Sequence, residues 1–232
     1  MIGIIGALNI EVENLISLLE DKEVETISGI LYVRGFLYGK EVVIATCGVG
    51  KVFAGICTQT MILKYRPNGI INTGVAGGLV DSLSVYDLVI ANEFVQHDMD
   101  TSGLGDEIGM ISGLDIVDIP CSEKLVSSLC KNANVLEYRY HVGKIATGDQ
   151  FITSRDRSKE IVDTYNAIAC DMEGGAIAQV CYINNIDFVG LRCISDGANE
   201  SADTDFLSFA KEAAERSTKL IIEFIKGYEE KD

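Results

Sequence analysis

The chain of 232 residues has no tryptophan, two prolines (Pro67 and Pro120) and two histidines (His97 and His141). Each shortage excludes something. With so little proline there is no Pro-rich linker, and no repeat or low-complexity tract interrupts the chain. Two isolated histidines do not make a zinc site. His97-Asp98-x-Asp100 therefore reads as a loop hydrogen-bond network in preference to a metal centre, and no metal or cofactor is expected. Basic residues are also scarce: 19 Lys and Arg against 35 Asp and Glu leave a formal charge of −16. Such a surface repels phosphate backbones and anionic lipid, so nucleic acid and membranes are not expected partners. No apolar run approaches the roughly 18 residues of a membrane span. Met1-Ile2-Gly3-Ile4-Ile5-Gly6 opens as a core strand, not as a Lys/Arg-led leader. The seven cysteines form no C-x-x-C pair and their number is odd. Several lie within apolar runs, as small buried hydrophobes do. That usage fits thiols in a reducing compartment, so the expected location is cytoplasmic.

What is present is an α/β alternation. Continuous apolar runs recur at Ile2–Ile5, Val42–Thr46, Gly69–Asn72, Leu88–Ala91, Gly143–Ala146, Ala167–Cys170 and Phe188–Ile194. Continuity, in place of alternation, marks strands buried on both faces. Between them lie helical patterns at Ile10–Leu19, Val52–Lys64, Glu123–Lys131, Ser158–Tyr165 and Gly174–Asn184. A final one near Asp205–Tyr228 puts Phe206, Phe209, Ala213, Leu220, Ile221 and Phe224 on one stripe. Leu31–Thr46 reads as an antiparallel hairpin turning at Tyr38-Gly39-Lys40. The expected fold is one α/β domain over residues 1–232. It has three layers, with helices flanking a mixed, mostly parallel central sheet.

In such sheets ligands bind beyond the carboxyl ends of the strands. The unusual residues of this chain gather at those ends. They are Gly6-Ala7…Glu11, Cys47-Gly48-Val49-Gly50-Lys51, Asn72 to Gly78, Thr147-Gly148-Asp149-Gln150-Phe151, Asp171-Met172-Glu173 and Ser195-Asp196. A carboxylate ending an apolar strand is costly unless a partner, ligand or reaction uses it. Two such stretches, Ala169–Gly175 and Arg192–Asp196, suggest one site with two acidic roles. Gly48-x-Gly50 is not a dinucleotide fingerprint, because Phe53 stands at the third glycine position and no acidic residue ends the next strand. Gly50-Lys51-Val52 lacks the Ser/Thr of a phosphate-binding loop. Taken alone, Glu11 reads as a helix-start carboxylate favoured by the helix dipole, and Phe151 as a core aromatic or a stacking platform.

Ordered together, these stretches resemble the 5′-methylthioadenosine/S-adenosylhomocysteine nucleosidases of the purine nucleoside phosphorylase-like superfamily. The matched residues run from Ile4-Ile5-Gly6-Ala7…Glu11 through Asn72-Thr73-Gly74-Val75-Ala76-Gly77-Gly78 and Gly148-Asp149-Gln150-Phe151-Ile152. They continue through Asp171-Met172-Glu173-Gly174-Gly175 to Arg192-Cys193-Ile194-Ser195-Asp196. The resemblance implies hydrolysis of the N-glycosidic bond of an adenine nucleoside, with no cofactor. It implies that Asp196, oriented by Ser195, protonates N7 of the leaving base, and that Glu11 activates water at C1′ with Arg192 as a charged partner. Glu173 would hold the ribose hydroxyls and Met172 would pack on the sugar. Phe151 would stack on adenine, the backbone of Ile152 would read its amino edge, and Val49 and Leu8 would line an apolar wall. Val75 stands where many members carry a serine, and the Gln96–Ile111 loop lacks the aromatics some members use around the 5′ substituent. The resemblance also implies a homodimer in which the neighbour closes the 5′ pocket. Two rivals remain. A nucleoside phosphorylase would need a cation for phosphate, and Ala7-Leu8-Asn9-Ile10-Glu11 offers none. A nucleoside-binding protein on the same fold would not need both Glu11 and Asp196.

Overall fold

The computed structural model describes residues 1–196 and 206–229. Ten strands and six α-helices alternate along it. Their order is β1 (Ile2–Gly6), α1 (Asn9–Ser17), β2 (Glu20–Ile27), β3 (Ile30–Leu37), β4 (Lys40–Thr46), α2 (Lys51–Tyr65), β5 (Gly69–Gly78), β6 (Leu88–Gln96), β7 (Ile119–Pro120), α3 (Glu123–Val135), β8 (Tyr140–Thr147), α4 (Arg155–Tyr165), β9 (Ala169–Asp171), α5 (Gly174–Asn184), β10 (Asp187–Asp196) and α6 (Phe206–Lys226).

All strands belong to one mixed sheet. β1 lies between β4 and β5, parallel to both, and β5 continues the parallel run into β10. β10 then meets β6 antiparallel, and β6 leads to β8 and β8 to β9, both parallel. The sheet curls at this end, because β9 pairs back antiparallel on Gly77 and Gly78 of β5. The expected hairpin is present as β3 and β4, joined through Tyr38 and Gly39, both with positive φ. That is the turn geometry that suits the twist of paired strands.

Helices cover both faces. Ala54, Cys57 and Met61 of α2 pack with Ile177, Ala178 and Cys181 of α5 in one core. Val12 and Leu15 of α1, Leu125 and Leu129 of α3, and Leu220, Ile221 and Phe224 of α6 form the other. This is the three-layer α/β fold that the apolar runs predict.

Two elements depart from that reading. β2 has the sequence Glu-Asp-Lys-Glu-Val-Glu-Thr-Ile and is exposed along nearly its whole length. Within the sheet it pairs with β3, and Lys64 and Tyr65 of α2 reach its Glu25. A strand with no buried face has no hydrophobic pattern to display, and its charges protect an open sheet edge. β5 is the other: it runs ten residues, to Gly78, and does not give way to a loop at Asn72. The glycines that read as a ligand-binding loop belong to a strand, and the site is built partly on sheet.

Candidate active site

Three helices start at the same end of the sheet: α1 and α5 each bring a carboxylate to one cavity, and the N-terminal turn of α2 holds the second of them. α1 starts directly after β1, with Leu8 as its N-cap and Glu11 in its first turn. Leu8 has no side-chain oxygen to cap the helix, so the Glu11 carboxylate reaches back instead. Its Oε2 accepts the Ala7 N–H at 2.7 Å and the Leu8 N–H at 2.9 Å. Its Oε1 accepts the Val75 N–H from β5 at 3.1 Å. The helix-start role and the buried position are thus the same fact. Burial pushes the Glu11 carboxyl above its ordinary value. The Leu8 N–H, the Arg192 charge and the other two backbone donors pull against that rise.

Glu173 is the N-cap of α5, and Gly50 is the N-cap of α2. The Gly50 N–H donates to Glu173 Oε1 at 2.8 Å. Burial, and then the charge of Asp171 nearby, push the Glu173 carboxyl up to about 7.

Asp171 ends β9 and is not a free acid. Its Oδ2 accepts Arg192 Nη2 at 2.6 Å and Nε at 3.1 Å. The same oxygen accepts the Gly174 N–H at 3.1 Å, and Oδ1 accepts the Thr147 hydroxyl. Arg192 is 1% exposed and is further tied to Asn72, through its carbonyl at 3.1 Å and its side-chain oxygen. Its guanidinium is therefore committed to Asp171 and Asn72. It acts on Glu11 as a nearby charge, and it is not among the residues lining the cavity. Asn72, a lone polar residue in the apolar run Gly69–Asn72, was the available signal for this pair.

The cavity holds about 360 Å³. Of the residues singled out in the sequence, Leu8, Glu11, Val49, Val75, Phe151, Ile152, Met172, Glu173 and Ser195 all line it. Ala7, Ala76, Gly77, Gln150 and Cys170 complete the wall, together with Asp171. Cys170 and Ala76 carried no chemical signal and arrive by sheet position alone. The backbone of Asp196 pairs with Gly77 at the end of β10, after an irregularity at Ile194; its side chain lies outside the described residues. Phe151 is 60% exposed at the mouth, so it is a rim aromatic and not a core one. No residue of the Gln96–Ile111 loop lines the cavity. No Lys or Arg appears among the described lining residues. Among the described residues no group of His, Cys, Asp and Glu is arranged to hold a metal, and no helix is long and apolar enough to cross a membrane.

Comparison with known proteins gives the family and the fold. The family model of the phosphorylase superfamily matches residues 1–226. The 5′-methylthioadenosine/S-adenosylhomocysteine nucleosidase of Shewanella loihica is 40% identical over 226 residues, which are 97% of this chain and 98% of that protein. The nucleosidase of Neisseria meningitidis, solved in complex with methylthio-immucillin-A, superposes with a TM-score of 0.94 at 33% identity, over 98% of this chain and 99% of that one. The futalosine hydrolase of Helicobacter pylori superposes with a TM-score of 0.93, also at 33% identity, over 98% of this chain and 97% of its own.

Proposed function

The chain belongs to the 5′-methylthioadenosine/S-adenosylhomocysteine nucleosidase family, and we propose that its carboxylates divide the hydrolysis of these two nucleosides to adenine and the 5-substituted ribose. The observation that carries this reading is the placement of Glu11. Three backbone N–H groups fix its two oxygens. A carboxylate has about four lone-pair sites, so one remains to take a proton from water. Glu11 thus acts as the general base, and the oxygen of that water forms the new bond to C1′.

As the bond from C1′ to the base breaks, the ribose gains oxocarbenium character. Glu173, at the cavity wall, accepts the ribose hydroxyls and faces the growing positive charge. Met172 packs on the sugar, and Leu8, Val49 and Val75 supply the apolar wall. Phe151 stacks on the adenine ring and the Ile152 backbone reads its amino edge. The base leaves as neutral adenine when Asp196 protonates N7, with Ser195 orienting that acid. Ser195 supports this assignment by its place in the cavity wall, one residue before Asp196. Arg192 acts through Asp171 and through its charge.

The cavity also favours water over phosphate. An anion needs cationic or amide donors, and the amides beside Glu11 are already engaged by its own carboxylate. The test is adenine release with and without inorganic phosphate, from methylthioadenosine, adenosylhomocysteine, adenosine and inosine. Equal rates in both conditions and a free 5-substituted ribose are expected. A ribose 1-phosphate product overturns the reading in favour of the phosphorylase. Asp196→Asn should nearly abolish turnover in a folded protein; near-normal rates would overturn the acid assignment and favour the binding-protein alternative.

The working form is a homodimer in this reading. α2 and α5 pack side by side, and Val52, Phe53, Ile56 and Leu63 of α2 with Tyr182 and Ile183 of α5 remain exposed. So large an apolar face marks an association surface, and it adjoins the cavity mouth at Val49 and Phe151. A second copy covers it and brings a loop over the 5′ end of the cavity. Leu104, 86% exposed in the Gln96–Ile111 segment, is the residue offered for that contact. Sedimentation that finds only monomer at micromolar concentration would overturn this part. The cytoplasm is the location in this reading, supported by seven cysteines that are all free thiols.

A further inference from the structure

The turn that opens α2 makes contacts the mechanism above does not use. Gly50 gives its N–H to Glu173, on the sugar side of the cavity. The next residue, Lys51, gives its N–H to Asp149 Oδ1 at 2.8 Å. Asp149 begins the run Asp149-Gln150-Phe151-Ile152, whose last three residues line the cavity. The Lys51 side chain closes a ring from the other side. Its Nζ donates to Asp98 Oδ1 at 2.6 Å, and Asp98 Oδ2 accepts the Asp149 N–H at 2.9 Å. Gln96 Oε1 accepts a second Nζ bond at 3.2 Å, and Gln96 Nε2 reaches Gln179 of α5 at 2.6 Å.

Two contacts tighten the same ring. A Cβ at Gly50, where φ is +98°, would lie 3.0 Å from Asp149 Oδ1. A Cβ at Gly148 would lie 2.4 Å from the His97 ring. The loop is thus pressed against His97 and the α2 turn at once. Lys51 and Asp98 are only 21% and 18% exposed, so their ion pair is partly shielded from solvent. Neither residue lines the cavity.

We propose that Lys51 and Asp98 are positioning residues for base recognition: their ion pair, closed through Asp149, holds the loop that carries Phe151 and Ile152 in the form that receives adenine. The inference rests on the nucleosidase reading and deepens it. Holding the loop in advance removes the ordering cost that the base would otherwise meet on binding. The effect belongs to the base side. The Glu11 carboxylate is held by Ala7, Leu8 and Val75, none of which touches the ring, and Glu173 takes its bond from the Gly50 backbone, not from the Lys51 or Asp98 side chain, so the chemical step with substrate bound should be preserved.

The experiment compares Lys51→Met, Asp98→Ala and the conservative Lys51→Arg with the unchanged protein. Three quantities are read: kcat and KM for adenine release from methylthioadenosine, Ki for adenine as product inhibitor, and loop mobility. The chain has no tryptophan, so Phe151→Trp installs a single fluorophore on the loop in each background, read by acrylamide quenching. In Lys51→Met and Asp98→Ala, KM and the adenine Ki should rise about tenfold while kcat stays within about threefold. Quenching of the loop fluorophore should steepen, and Lys51→Arg should restore most of each value. If either variant fails to fold, Asp98→Asn keeps the acceptor for the Asp149 N–H and loses only the charge, and a rise of about threefold is expected. An unchanged adenine Ki with unchanged quenching overturns the inference, as does a fall in kcat with KM constant. If the unchanged protein releases no adenine, the nucleosidase reading fails instead, and the quenching comparison still reports on the ring.

Discussion

Gly74→Ala tests the Glu11 assignment with a single methyl group. Gly74 lies on β5 beside Glu11. A Cβ built there sits 2.6 Å from Glu11 Oε1 and 3.0 Å from its carboxyl carbon. Ordinary contact begins near 3.4 Å, so the carboxylate must retreat by about 0.8 Å. The backbone around it is in strand and has little room to give, whereas the carboxylate is the end of a side chain. The displacement therefore falls on the three hydrogen bonds from Ala7, Leu8 and Val75. The Val75 bond, at 3.1 Å to the crowded oxygen, is lost first. A hydrogen bond to a charged group is worth about 1.5–3 kcal/mol, so stability should fall by about 2 kcal/mol and the fold should survive. Activity should fall much further. A misplacement of about 1 Å in a reacting group can cost about 100-fold, so kcat/KM for methylthioadenosine should drop about 100-fold, mostly in kcat. Adenine binding, which the proposed mechanism assigns to Phe151 and Ile152, should stay within about twofold. Continuous adenine release and a thermal melt check both. A variant with kcat/KM within about threefold of the unchanged protein would refute the reasoning, since Glu11 would then not need its position.

Phe151→Ala should raise the adenine Ki about tenfold or more, because stacking of a base on an aromatic is worth about 1–3 kcal/mol. Stability should change by less than about 0.5 kcal/mol, since the ring is 60% exposed. Arg192→Met should cost about 3–5 kcal/mol in urea unfolding, because it leaves Asp171, with a side chain 1% exposed, without its counter-charge. Adding Asp171→Asn should recover part of that loss. Glu173 makes stability depend on pH. Its carboxyl lies at about 7 in the fold against 4.5 as the ordinary value, so the folded state holds this proton more tightly. The contribution is complete below about 4.5 and is lost as pH rises to about 7. It amounts to about 3 kcal/mol at about 1.36 kcal/mol per pH unit. Glu173→Gln should flatten the melting temperature over that window, and an unchanged slope would count against it.

The residues that bear on the cavity were legible in the sequence because strand ends are. A parallel sheet buried on both faces writes itself as apolar runs, and whatever breaks each run at its carboxyl end must face the crevice. Glu173, Met172 and Ser195 stand directly at such breaks, whereas Glu11 lies one helical turn further on and stands out only beside the others. Arg192 reads as a charged partner of Glu11 in the sequence, and its charge does act on that carboxylate. It stands inside the run Phe188–Ile194, so it does not mark a strand end, and its side chain turns to Asp171 and Asn72 within the sheet layer. The Lys51–Asp98–Asp149 ring was illegible because its members lie 47 and 51 residues apart, on the first turn of α2 and in two loops with no shared period. β2 was illegible for the opposite reason: its backbone pairing requires no particular side chains. The glycines of β5 carried a mixed message. They do allow close approach, but what approaches Gly74 is Glu11 itself.

The charges of the site explain why three acids can share one small space. Glu11, Asp171 and Glu173 lie close enough for each of the outer two to feel Arg192, the buried cation of the group. If all three carboxylates ionise, one guanidinium leaves two negative charges uncompensated. Burial and the Asp171 charge raise the Glu173 carboxyl to about 7, so the site sheds part of that excess. The helix starts of α1, α2 and α5 relieve more of it, since the partial positive charge of each falls on a carboxylate. What remains is a preorganised negative potential with no cation on the described lining. In the proposed mechanism an oxocarbenium-like ribose supplies the missing positive charge only as the glycosidic bond breaks, so the surplus is satisfied in the transition state and not before. The same surplus repels phosphate. In this reading one electrostatic imbalance, written at the ends of β1 and β9 and on β10, both drives the cleavage and selects water as the nucleophile.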